Sequence, residues 1–174
     1  MRVQKFNWKV LLVIGLTAGG IQVLTGVVMY LSGVYFLGWT IFVNYLVLLL
    51  CIILGTKWYR TKTPDDTITY TRALIVGIVI SVSTGLIYAL YNIISVSFFY
   101  PHFLEDMLRA QVARIQSLGL GPEQTAERVA AAKKHTTLPT IAVGNLLRLS
   151  LVGFVLSLFT SIILREKTSS DGPM

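Results

Sequence analysis

The chain has 174 residues, of which 54% are apolar and only 13% charged, about half the charged share of an ordinary soluble domain. The apolar residues gather in four blocks of about 20 residues or more, the length a helix needs to cross about 30 Å of hydrocarbon, and so short a chain cannot bury four of them in a soluble core. A soluble globular protein is excluded, and with one cysteine, Cys51, so are an internal disulfide and a cysteine-based metal site.

In chain order, the first predicted span covers residues 10–31, with Trp8 before it and Tyr30 near its far end as an aromatic belt would place them. This block is too long for a cleaved signal peptide and lacks a small-residue cleavage site, so it reads as a retained signal anchor. An uncharged stretch, 32–38, turns the chain into a second span over 36–55, which ends in Lys57-Trp58-Tyr59-Arg60. A polar loop with Pro64-Asp65-Asp66 as its turn signal leads to a third span over 73–99. Residues 100–138 form the longest connection, the fourth span covers 141–164, and a polar tail, 165–174, closes the chain. The whole reads as one four-span membrane domain.

The connection 100–138 is itself patterned. Leu104, Leu108, Val112, Ile115 and Leu118 recur every three or four residues, one apolar face of an amphipathic helix. Gly119 and Gly121 stop that helix, and Pro122 with Glu123 starts another, since proline suits a first turn and an acid suits the N-terminal dipole. Lys133, Lys134 and His135 close the second helix with charge of the favourable sign. The expected fold is therefore all-α: four transmembrane helices with an amphipathic helical hairpin between the third and fourth. The apolar face of the hairpin has three possible covers: the bilayer, the bundle or a partner.

Orientation follows from lysine and arginine. Nine lie in short segments on one side: Arg2, Lys5, Lys9, Lys57, Arg60, Lys62, Arg72, Arg165 and Lys167. The hairpin's five are diluted over about 40 residues and accompanied by four acids. The positive-inside rule thus places both termini in the cytoplasm and the hairpin outside. Most of the net charge of +7 is spent on this asymmetry, so it does not argue for nucleic acid.

Helices in lipid associate through small residues and through polar side chains that find partners. In the third span Gly77, Ser81, Thr84, Gly85, Tyr88, Asn92 and Ser95 fall on one stripe, and Gly15, Gly19, Gln22 and Gly26 form a shorter one in the first. Asn44, Cys51 and Gly55 make a weaker match in the second. These stripes are either the internal seam of the bundle or a polar groove for a lipid or ligand, with Gln22, Asn44 and Asn92 as its donors. In the fourth span Ser150, Gly153, Ser157 and Ser161 share one face, while Asn145 and Arg148 project from nearly the opposite side. Arg148 is the one ionisable residue other than tyrosine and cysteine inside the four blocks. An arginine at mid-helix costs about 2.5–3.5 kcal/mol on insertion scales. It either reaches up to the headgroups or, with Asn145, binds a phosphate-bearing lipid or a partner's acid.

Other chemistry is missing. The spans contain no Asp or Glu, which coupled carriers ordinarily need, and no inverted repeat stands out. His102, Glu105 and Asp106 are too few and too generic for a metal site, and no nucleophile–histidine–acid set or phosphate loop is present. No cofactor and no enzymatic activity is expected.

The runs GLIYALYNIISVSFFYPHFLEDML (85–108), LGLGPEQTAERV (118–129) and GNLLRLSLVGFVLSLFTSIIL (144–164) resemble a family of bacterial four-helix membrane proteins known as domain of unknown function 4199. Tyr88, Tyr91, Asn92, Gly144 and Asn145 match its pattern, whereas Arg148 does not match a family position. The resemblance implies a multi-pass protein of the bacterial inner membrane with no established activity. It also implies a neighbourhood of glycosyltransferases that use polyprenyl phosphate. Three readings follow: an accessory or assembly subunit that binds another membrane protein or a second copy of itself; an accessory to lipid-linked sugar chemistry that holds a phospholipid or polyprenyl phosphate near Arg148; and, disfavoured by the missing acids, a small-molecule carrier.

Overall fold

The computed structural model describes residues 6–62 and 68–164. The expectations for Arg2, Lys5, the turn at 64–66 and the tail with Arg165 and Lys167 lie outside those residues. Among the described residues the chain is all-helical. Four helices are long and apolar enough to cross a membrane: α1 (Trp8–Leu31), α2 (Thr40–Thr61), α3 (Tyr70–Ile94) and α6 (Leu138–Leu164). Two shorter ones, α4 (Phe103–Gln116) and α5 (Pro122–His135), form the connection between α3 and α6.

Local chemistry explains the boundaries. Asn7 Oδ1 accepts from the Val10 amide at 3.3 Å and Thr69 Oγ1 from the Arg72 amide at 3.4 Å, capping α1 and α3. Gly33 takes a positive φ of 71° after α1, and tight turns then bond Leu37 N to Val34 O and Thr40 N to Leu37 O. These turns use up residues 34–39, so α2 starts later than the apolar run that begins at 36. α3 ends in a π turn, Ser95–Phe99, where the Tyr100 amide reaches back to Ser95 O at 2.8 Å. Gly119, with φ of 65°, ends the loop after α4, and Pro122 opens α5.

α3 packs against each of the other three spans, most extensively against α6. Small residues allow this. A methyl group at Gly77 would collide with Ser157, and one at Gly153 with Ser81, so α3 and α6 lie backbone to backbone. Towards α1 a different face of α3 meets Gly15, where a Cβ would come within 2.8 Å of Ser83, and Gly19, where it would meet Ile87. Between these seams Leu11, Ile14, Leu48, Ile52, Val76, Ile80 and Leu149 fill the core. Leu16, Leu24, Phe42, Leu151 and Phe159 face outward, as a hydrocarbon-facing surface requires.

Aromatic clusters close both ends. Phe6 stacks on Trp8 and leans on Tyr59, and the Arg72 guanidinium lies 5.7 Å from the Phe6 ring centre. At the hairpin end Phe103 packs against Tyr30, Tyr35 and Phe36 at 5.4 to 5.7 Å between ring centres, with Tyr100 4.5 Å from Tyr30. This second cluster seats the start of the hairpin on the α1–α2 turn.

Candidate functional site

Polar side chains of the seams bond across helices at one place and otherwise back to the backbone of their own helix. Gln22 Nε2 donates to Asn44 Oδ1 at 2.7 Å, and Asn44 Nδ2 donates to Thr40 O at 3.0 Å. Asn92 Nδ2 donates to Tyr88 O at 2.7 Å, and Ser81 Oγ to Gly77 O at 2.7 Å. Gln22, Ser81, Thr84 and Asn92 are all buried, as are Gly15, Gly19, Gly77, Gly85 and Tyr88. Gln22 thus ties α1 to α2, whereas Asn92 bonds back within α3; Asn44 lines the larger cavity described next, and Asn92 only a recess of about 10 Å³.

That cavity, about 180 Å³, lies at the hairpin end. Its walls come from four places: the α1–α2 turn with Tyr35, the first turns of α2 with Thr40 and Asn44, α6 with Asn145 and Arg148, and α4 with Gln111 and Arg114. Tyr88 of α3 closes the inner side. Arg148 lines this cavity together with Tyr88 of the α3 stripe and with Gln111 and Arg114 of α4. It is half-buried, ten residues into α6, so about 15 Å from the helix start.

Its geometry is defined on one side only. Arg148 Nη2 donates to Asn145 Oδ1 at 2.8 Å, a bond that the i, i+3 spacing makes possible. Its Nε is buried and has no partner, an expensive state for a guanidinium donor. The Tyr35 and Tyr88 hydroxyls lie 3.1 Å apart. Burial pushes the Tyr35 phenol above its ordinary value, and the hydrogen bond with Tyr88 and the charge of Arg148 only partly oppose that shift. Tyr35 therefore stays a neutral donor through the physiological range.

Among the described residues no acid lines the cavity. The nearby carboxylates of α4, Glu105 and Asp106, are each 3.9 Å from Arg109, and His102 is 3.6 Å from Glu105. Arg109 is not a lining residue. The cavity is thus lined by two arginines, two tyrosines and several amides with no carboxylate among the described residues, an arrangement suited to an anion.

Tyr35, Gln111 and Arg114 did not stand out in the sequence. The available signal was spacing: Met107, Ala110, Gln111 and Arg114 share a second face of α4, about 90° from the leucine stripe. This face, and not the leucines, lines the cavity.

Comparison with known proteins agrees with this reading of the fold. The family model described as "Protein of unknown function (DUF4199)" matches residues 14–166, which takes in the hairpin, three spans and all of α1 but its first six residues. Neither the curated proteins nor the solved structures give a match. The chain belongs to the DUF4199 family, a family of proteins of unknown function, and within it is a multi-pass membrane protein with four apolar helices.

Proposed function

We propose that the protein is a non-enzymatic accessory of the membrane that holds the anionic headgroup of an amphiphile in the cavity between α2, α4 and α6. One observation carries this reading: Arg148, deep in an apolar helix, lines a polar cavity with no acid among the described residues and has its Nε unpartnered. A guanidinium without a counter-charge in that setting is costly, and an anion both neutralises it and accepts from its Nε. The positive-inside bias favours a hairpin outside the cell membrane with both termini in the cytoplasm, which would place the cavity at the outer headgroup level. A bacterial inner membrane is the setting that the family resemblance implies.

The test is native mass spectrometry of the purified chain released from nanodiscs containing phosphatidylcholine and an anionic phospholipid in equal amounts. The anionic lipid should be retained preferentially. Arg148→Gln should weaken that retention by about 1.5–3 kcal/mol, the worth of a hydrogen bond to a charged group. Equal retention of both lipids by the wild-type chain would sink the proposal.

A second reading, a protein partner seated on the hairpin, rests on α5, none of whose residues is buried. Crosslinking in native membranes that captures α5 with another chain, or with a second copy, supports it; monomers alone count against it.

A further inference from the structure

The cavity is assembled from two mechanically distinct parts. Arg148 and Asn145 stand on α6, which α3 grips along the seam of glycines and serines. Arg114 and Gln111 stand on α4, which belongs to the hairpin. The hairpin is held to the spans chiefly at its beginning, where Phe103 is buried among aromatic rings. Further along, its contacts are mainly internal: α5 packs on α4, and Thr136 Oγ1 donates to Gln111 Oε1 at 3.4 Å. Two positive charges therefore face one small cavity from a fixed wall and a loosely attached one. Among the described residues neither Arg148 nor Arg114 has a carboxylate within ion-pair distance.

From this we infer that the ligand is a dianion, a terminal phosphate monoester or a diphosphate, that bridges Arg148 of α6 and Arg114 of α4 and so fastens the hairpin onto the spans. The inference rests on the anion-binding reading above and deepens it. A phosphodiester headgroup carries one negative charge and leaves one guanidinium uncompensated. A terminal phosphate approaches two charges near neutral pH and offers three oxygens, enough for both arginines and for the Asn145 amide. Without the ligand neither arginine has a carboxylate partner among the described residues. With it, a charge-assisted contact is made on each side. The same dianion chemistry is available from a lipid or from a water-soluble phosphate, and the experiment separates the two sources.

The full chain is incorporated into nanodiscs of phosphatidylcholine containing either phosphatidic acid, a terminal monoester, or phosphatidylglycerol, a diester. Retained lipid is measured by native mass spectrometry, and the protection of the α4 amides by hydrogen exchange. The expected result is a preference for phosphatidic acid of about tenfold or more, the worth of one charge-assisted contact, with slower exchange over residues 103–116 in that lipid only. Arg114→Gln should abolish the preference and the protection while the chain remains monodisperse and keeps its thermal transition. Competition by millimolar inorganic phosphate or diphosphate assigns the site to a soluble dianion; resistance to it assigns the site to the lipid, and either upholds the chemistry. Equal retention of the two anionic lipids, or a preference that survives Arg114→Gln, overturns the inference and leaves the anion-binding reading intact. Failure to retain either anionic lipid above phosphatidylcholine overturns that reading itself.

Discussion

Single residues divide into those that hold helices together and those that face the cavity, and the two groups respond differently to substitution. Gln22 and Asn44 belong mainly to the first. Their 2.7 Å bond joins α1 to α2 inside the bundle, and a double-mutant cycle with Gln22→Leu and Asn44→Leu should give a coupling energy of about 0.6 kcal/mol, typical of hydrogen bonds between membrane helices. Thermal unfolding in a mild detergent measures it, and a coupling of zero would mean the bond contributes nothing. Tyr35 belongs to the second group. Because burial raises its pKa, the folded chain holds the phenolic proton more tightly than the unfolded chain does. The stability this contributes is complete below the unfolded value of about 10 and is lost as pH rises through the higher folded value. Tyr35→Phe should make the alkaline fall in thermal stability shallower; an unchanged fall would place the titration elsewhere. Arg148 shows how much a sequence can say about one residue. Its angular position, opposite the small face of α6, is a matter of helical period and was legible. That α4 lines the same cavity was not, because it depends on contacts distant in sequence.

At the scale of elements, what decides each helix interface is whether a backbone can approach. The α3–α6 seam has no spare volume: a methyl group at Gly153 meets Ser81, and one at Gly77 meets Ser157. Gly153→Ala should therefore destabilise the bundle by about 1–3 kcal/mol through overpacking. Gly20→Ala, where a Cβ would meet nothing within 4 Å, should leave stability unchanged or slightly raised. Comparing the detergent melting curves of the two variants tests the seam, and equal behaviour would contradict it. The small-residue stripes were readable because close approach demands small side chains wherever it occurs. The hairpin helices were readable for a different reason, since Gly119 and Pro122 punctuate the chain chemically. The start of α2 was not: hydropathy is continuous from residue 36, whereas the turns that delay the helix to Thr40 are made by backbone hydrogen bonds, which hydropathy does not register.

For the molecule as a whole, four spans put the start of α1 and the end of α6 on one side and the hairpin on the other. With Cys51 replaced by serine, a cysteine introduced at Ser117 should react with an impermeant thiol reagent added outside intact cells, and one at Lys57 only after permeabilisation; the reverse pattern would invert the topology. The π turn at the end of α3 gives this arrangement a tolerance. A π turn holds one residue more than an α-helical turn, so the five residues from Ser95 to Phe99 carry a surplus residue ahead of the rings that seat Phe103. Deleting one of them, Ser97 for example, would let the backbone relax to an α-helical turn with little net rotation, since four residues at the α repeat cover nearly the arc that five cover in the π turn. The same deletion in the regular part of α3, at Leu86 for example, would turn the residues after it by about 100° and break the seam. The surplus is slack, held where the chain leaves the packed bundle.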